Sequence, residues 1–267
     1  MSNLTGLRAL LVRPEQPLIQ GSSTFANVLI SDGVRLHHCP VMNISPLVGT
    51  LDTDKIKPHI LGFSRYGRVI FVSRTAASLA LDWLDRYWPV PDGLPIGTRY
   101  YAVGKSTAAE LEAWNVKAEL PVEFSNSEGL LALPSLQNLM GEHVLIFSGV
   151  GGRQLLTEQL SCRGAVVSQC ELYRRESTAE FSQEINQLLL SGELDLVIVH
   201  SGELLSTLIS VVQKERQHAL RQLPLLVPGE RVCGLARDTG FKNVICADTA
   251  LPEDMVSALR GWYSNKG

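Results

Sequence analysis

The sequence predicts an α/β protein made of two similar parallel-sheet domains. Two observations carry this expectation. Short apolar runs of strand length alternate with segments of helical spacing along the chain. The alternation also repeats in order: RALLV, RVIFV and YYAVG align with HVLIF, DLVIV and LLVPG, at offsets of roughly 125–135 residues. Runs that are apolar at every position belong in sheets covered on both faces, as parallel sheets are.

Residues 7–12 read as the first strand, and the loop 13–17 follows it. Phe25, Val28 and Leu29 have helical spacing, and Gly33 stops that helix. Residues 34–44 are extended, punctuated by Pro40 and Pro46. Between 52 and 61 the apolar pattern offers only weak helical potential. The run 68–72 is a buried strand, and Ser73-Arg74-Thr75 leads into a helix through Leu79 and Leu84. Residues 100–103 form a short strand and Gly104-Lys105-Ser106 a turn. Thr107 with Glu110, and Ser125 with Glu128, have the spacing of a capping box, which places a helix start at each.

The run 144–147 is a strand leading into Ser148-Gly149-Val150-Gly151-Gly152, a glycine loop that allows close backbone approach to a ligand. Leu155, Leu156 and Leu160 then mark a helix that Gly164 can end, and an extended segment runs from Val166 to Tyr173-Arg174-Arg175. A polar helix around 180–190 precedes Gly192. A strand over 194–200, Ser201-Gly202-Glu203, and a helix through Leu205 and Leu208 follow. The end of the chain reads as a strand (223–227), a loop (228–231), a helix (232–238), a strand (244–247) and a helix from Pro252.

Composition narrows the function. The chain has 267 residues, 45% of them hydrophobic, and a formal net charge of −3. That balance argues against a general nucleic-acid binder. No run approaches the ~20 apolar residues that span a membrane, and the N-terminal apolar run is too short for a signal peptide. The five cysteines are odd in number and hold no CxxC pair. They suggest a reducing, cytoplasmic setting without a disulfide framework.

The six histidines show no metal-ligand spacing. There is no GxSxG elbow, no GxGxxG and no P-loop lysine. Redox, kinase and hydrolase chemistry lack their usual equipment, and no cofactor or metal is expected. The loops expected at the carboxyl ends of the strands carry the candidate binding groups: Arg13, Ser73, Gly104, Ser106, Thr107, Gly151, Gly152, Arg153, Ser201 and Gly202. Hydroxyls, N–H groups at helix starts and guanidinium groups suit a ligand bearing several carboxylates or phosphates. Ser73, Thr107 and Ser201 also have a purely structural use as helix caps. Tyr173 has two readings, a packed strand-end ring or a proton donor.

Taken in order, these stretches resemble uroporphyrinogen-III synthase. The carriers are Leu11-Val12-Arg13-Pro14, Phe71-Val72-Ser73, Ala102-Val103-Gly104 with Thr107-Ala108, Gly151-Gly152-Arg153 with Leu155-Leu156, Gly164-Ala165 leading to Tyr173 and Arg175, and Gly240-Phe241 with Val244. The resemblance spans nearly the whole chain. It implies that the chain begins in one domain, crosses to build the other, and returns. The first domain would be 1–38 plus 174–267 and the second 43–171. The crossings, 39–42 and 170–173, would form a two-strand hinge, with a cleft between the domains.

The implied reaction closes hydroxymethylbilane to uroporphyrinogen III, inverting ring D and losing water through a spiro intermediate. The resemblance makes Tyr173 the proton donor to the departing hydroxyl. Duplicated lobes that form one cleft need no partner chain, so a monomer is expected, and charge and hydropathy give no expectation of a nucleic-acid or membrane partner. Ser148 stands where many members carry arginine, which leaves anion binding at that turn to Arg153. A rival from another class is a two-lobed ligand-binding or sensor protein without chemistry. A lesser one is an enzyme acting on a phosphorylated sugar or nucleotide.

Overall fold

The computed structural model describes residues 4–14, 25–88, 94–95, 97–122, 126–152 and 154–265. In chain order its elements are β1 (Arg8–Leu11), α1 (Phe25–Ser31), β2 (Arg35–His38), β3 (Met42–Pro46), α2 (Thr50–Leu61), β4 (Arg68–Phe71), α3 (Arg74–Tyr87), β5 (Arg99–Ala102), α4 (Lys105–Glu112), β6 (Ala118–Glu119), α5 (Ser127–Leu131), β7 (His143–Gly149), α6 (Leu155–Cys162), β8 (Val166–Ser177), α7 (Ser182–Ser191), β9 (Leu196–Ile198), α8 (Gly202–Val211), α9 (Gln217–Gln222), β10 (Leu225–Pro228), α10 (Gly229–Asp238), β11 (Val244–Ala247) and α11 (Pro252–Ser264). Short 3-10 turns occupy Phe63–Arg65, Pro134–Leu136 and Lys214–Arg216.

The chain divides into two compact units. One comprises Met1–Asn43 with Glu176–Gly267, the other Ile44–Arg175. The first contains a five-stranded sheet in the order β11-β10-β9-β1-β2, and the second a six-stranded sheet in the order β3-β8-β7-β4-β5-β6. Pairing is parallel within the first sheet and from β8 through β6 in the second. Leaving β3 aside, both sheets have one strand order: β2-β1-β9-β10-β11 in one matches β8-β7-β4-β5-β6 in the other. The sequence repeat is therefore a repeat of topology.

Each sheet is covered on both faces. In the second unit one face packs Ile56 of α2, Ala80 and Leu84 of α3 and Leu111 of α4 against Val69, Phe71, Leu145 and Phe147. The other packs Leu130 of α5 and Leu156 and Leu160 of α6 against Ile70, Val144 and Ile146. Neighbouring residues of β4 and β7 thus point to opposite cores, which is why these strands read as continuous apolar runs. The first unit repeats the plan, with α7, α8 and α10 over one face and α1 and α11 over the other.

Several local expectations need correction. α2 is a full helix, although only Ile56 and Ile60 are buried in it; two core contacts one turn apart anchor a segment whose pattern is otherwise polar. Thr107 does not cap a helix. α4 begins two residues earlier with Gly104 as its cap, and Thr107 lies inside it, 3% exposed. The cap of α5 is Asn126, whose side chain accepts from the Gly129 N–H; Ser125 lies outside the described residues. Gly229, Glu230 and Arg231 belong to α10, not to a loop. Cys233 of α10 and Cys246 of β11 are joined as a disulfide, so one pair does cross-link where none was expected. No helix among the described residues is long and apolar enough to cross a membrane.

A buried amide ties α7 to the end of α8. Asn186, 8% exposed, donates to the Ser182 carbonyl at 2.7 Å and accepts from the Gln213 N–H at 3.0 Å. Asn186→Ala removes both bonds and is expected to lower stability by about 1–2 kcal/mol. Urea unfolding followed by far-UV circular dichroism measures the difference, and an unchanged midpoint would contradict this role.

Candidate active site

Ligands of open parallel sheets bind beyond the carboxyl ends of the strands, where the strand order reverses direction. In the second unit that point lies between β7 and β4, and in the first between β1 and β9. The residues that follow these strands include Val150–Gly152 and Ser73 in one unit, and Arg13 and His200-Ser201 in the other. Topology thus selects a subset of the residues that the sequence offered.

The second unit builds its site around Tyr173. β7 and β8 pair residue for residue from His143↔Val166 to Ser148↔Glu171, and then the register slips so that Gly149 faces Tyr173. Leu172 is the extra residue. A bulge of this kind re-aims the side chains that follow it. It explains why Leu172 and Tyr173, although consecutive in a strand, are both fully buried in the same core. The bulged backbone keeps its partners: the Leu47 N–H donates to Leu172 O at 2.9 Å and the Val150 N–H to Tyr173 O at 2.8 Å.

Tyr173 fits only because Gly149 has no side chain. A Cβ there would lie 2.6 Å from Cε2 and 2.7 Å from Cζ of the tyrosine ring, far inside contact distance. Gly149 is needed for space, not for an unusual backbone angle. The phenol oxygen lies 3.0 Å from Ser73 Oγ and accepts from Arg175 Nη2 at 2.8 Å. The Arg175 guanidinium also lies against the ring, 5.2 Å from its centre. Ser73 is at the same time the cap of α3, its Oγ accepting from the Ala76 N–H at 3.0 Å. Neither the part played by Arg175 nor the bulge was among the expectations drawn from sequence. The available signal for Arg175 is its spacing: it sits two residues after Tyr173 on one strand, which places both on the same side.

The glycine turn after β7 behaves differently from the expectation of open N–H groups. The Gly151 N–H donates to Glu171 Oε1 at 3.3 Å and the Gly152 N–H to Gly149 O at 3.3 Å. Gly151 has a φ of +70°, the left-handed conformation that favours glycine. Arg153 lies outside the described residues. Gly104 caps α4 and Ser106 is exposed in its first turn, while Thr107 faces the core. Arg74 is held by Glu110 across α3 and α4 at 2.9 Å.

The first unit repeats the serine cap. Ser201 has φ −160° and ψ 160°, and Ser73 has φ −160° and ψ 161°; each oxygen accepts an N–H three residues on, from Leu204 at 3.2 Å and from Ala76 at 3.0 Å. Gly202 is buried at the start of α8. Beside Ser201, both ring nitrogens of His200 are buried with no hydrogen-bond partner among the described residues, although the residue as a whole is part-exposed. Its ring meets Phe25 edge to face at 4.9 Å. Burial, and then the positive charge of Arg13, push its pKa down to about 3. Among the described residues, the grouping with metal-ligand atoms is Glu230 with Cys233 and Cys246, and its two sulfurs are bonded to each other.

Comparison with known proteins gives one consistent family. Residues 23–257 match the family model described as "Uroporphyrinogen-III synthase HemD". The uroporphyrinogen-III synthase of Escherichia coli is 33% identical over 229 residues, covering 84% of this chain and 89% of that protein. That of Salmonella typhimurium is 38% identical over 168 residues, 62% of this chain and 68% of the relative. A crystal structure of a mutant uroporphyrinogen III synthase from Thermus thermophilus superposes with a TM-score of 0.70 at 17% identity, covering 97% of this chain and 100% of that one. The enzyme from Helicobacter pylori gives 0.54 at 12% identity, with 96% and 99% covered. The two structures show a shared fold.

His200 makes stability depend on pH. Its folded pKa lies below the ordinary value of 6.5, so the unfolded chain takes up the proton first. The contribution is complete above about pH 6.5 and is lost as pH falls from there towards about 3. The slope is about 1.4 kcal/mol per pH unit for one proton. Urea unfolding at pH 7 and pH 4.5 is expected to show a larger loss for the natural protein than for His200→Leu. Equal losses would contradict a buried neutral ring.

Proposed function

The chain belongs to the uroporphyrinogen-III synthase family, and on that footing we propose that it cyclises hydroxymethylbilane to uroporphyrinogen III, inverting ring D and releasing water. The observation that carries the residue assignment is the contact between the Tyr173 phenol, Ser73 and Arg175 at the strand-order reversal of the second unit.

The reaction asks for two things. Departure of the hydroxyl of the linear tetrapyrrole needs a proton, and Tyr173 is proposed as its source. Closure must then go through the substituted carbon of ring D, because unaided closure produces the uninverted isomer. That is control of position, and binding the side-chain carboxylates of the substrate supplies it. Arg13, Ser201 and Gly202 in the first unit, and Gly104 and Ser106 in the second, are the groups proposed for this. Gly151 and Gly152 would join them once a substrate carboxylate replaces Glu171 at the Gly151 N–H. Family members act without a cofactor, and none is assigned here. We further propose that the chain acts as a monomer in the cytoplasm, its 1–38 plus 174–267 and 43–171 segments forming the two domains.

The test is isomer analysis. Hydroxymethylbilane is generated in situ, the products are oxidised, and type I and type III porphyrins are separated. The natural protein is expected to yield mainly type III. Tyr173→Phe is expected to lose roughly 10²–10⁴ in rate with its fold intact by circular dichroism. Type I alone, at the rate of buffer, would overturn the function. A Tyr173→Phe rate within about threefold of the natural protein would overturn the role given to the phenol.

A further inference from the structure

Tyr173 presents a difficulty for a proton donor: it is fully buried, 0% exposed. Ser73, which touches it, is part-exposed. Hydrogen counting across the three groups shows how the difficulty is resolved. Arginine carries only donors, so the phenol oxygen accepts from Arg175 Nη2. Ser73 Oγ likewise accepts from the Ala76 N–H. The two hydroxyls are 3.0 Å apart and share one hydrogen bond, yet together they hold two hydrogens. One hydroxyl hydrogen is therefore left over, and neither Arg175 nor the Ala76 N–H can accept it. With the phenol enclosed, the hydrogen that can reach a ligand is that of Ser73.

We infer that Ser73 is the group that protonates the departing hydroxyl, and that Tyr173 refills it. The inference rests on the synthase reading above. The C–O bond of the hydroxymethyl group breaks with its electron pair on oxygen. The Ser73 Oγ–H proton moves to that oxygen, which leaves as water. The Tyr173 proton moves to Ser73 Oγ, and the phenolate is held by the charge-assisted hydrogen bond from Arg175. When the ring carbon that forms the last bond sheds its proton, the pair is recharged. One proton is lent and one returned, so the step balances with loss of water alone. Arg175 is a positioning residue here: it orients the phenol and holds its anion.

Ser73 also caps α3, so the test must separate the two roles. Ser73→Asn retains a side-chain oxygen that can cap the helix but has no hydroxyl to pass a proton. Ser73→Thr retains both. Single-turnover type III formation from hydroxymethylbilane is measured for both, for Tyr173→Phe, and for Ser73→Asn combined with Tyr173→Phe, each checked for folding by circular dichroism. The expected result is a loss of roughly 10²-fold or more in kcat for Ser73→Asn and for Tyr173→Phe. KM should change little. The double variant should be no slower than the slower single, as for residues acting as a unit. Ser73→Thr should stay within about threefold of the natural protein.

A large loss for Tyr173→Phe with a loss under threefold for Ser73→Asn would overturn the relay and leave Tyr173 as a direct donor. A loss confined to KM in Ser73→Asn would overturn it too, assigning Ser73 to carboxylate binding. So would a folded Ser73→Thr as slow as Ser73→Asn. Little loss for Tyr173→Phe would sink the underlying acid assignment together with the relay.

Discussion

The candidate site depends on one close approach, the ring of Tyr173 against the bare backbone of Gly149. A methyl group at that position would overlap the ring at 2.6 Å. The approach exists because β8 slips by one residue against β7 at Leu172. Without the slip, alternation would send Leu172 and Tyr173 to opposite faces. With it, both enter one core, and the phenol oxygen arrives between the cap of α3 and the side chain of Arg175. The missing side chain and the extra residue are two halves of a single device.

The duplicated plan shows what is scaffold and what is specialised. Both units have the same strand order and the same serine cap, with nearly identical backbone angles, after the strand beside the order reversal. The serine caps are thus features of the repeated βα unit. What differs is the company they keep. Ser73 meets a phenol and a guanidinium. Ser201 follows a histidine whose buried ring nitrogens have no hydrogen-bond partner among the described residues and whose charge is suppressed by burial and by Arg13. One copy holds a chain of exchangeable protons, and the other a neutral ring. The proton transfer proposed for Tyr173 would accordingly belong to the second unit.

Much of this was legible in the sequence, because parallel strands buried on both faces leave continuous apolar runs and the repeat aligned them. A serine follows each of RVIFV and DLVIV, directly as Ser73 in one copy and one residue later, after His200, as Ser201 in the other. The misses have physical causes. α2 rests on two buried isoleucines and looks polar otherwise. Thr107 satisfies a capping pattern, yet Gly104 takes the cap and the threonine turns inward. The bulge at Leu172 is a property of pairing between two strands, and nothing local in ELYRR announces it. The disulfide of Cys233 and Cys246 arises from placing α10 beside β11, a proximity that spacing alone does not encode. The family resemblance pointed to Tyr173, but its burial and its bond to Ser73 belong to the fold.

Space at Gly149 is proposed to set the position of the phenol and hence the chemistry. A crystal structure of Gly149→Ala, paired with its rate of type III formation, tests this most directly. The expected result is a Tyr173 ring displaced from Ser73, the 3.0 Å hydrogen bond between them broken, and a rate as low as that of Tyr173→Phe. A tyrosine still seated against Ser73, or a displaced one with the natural rate, would contradict it.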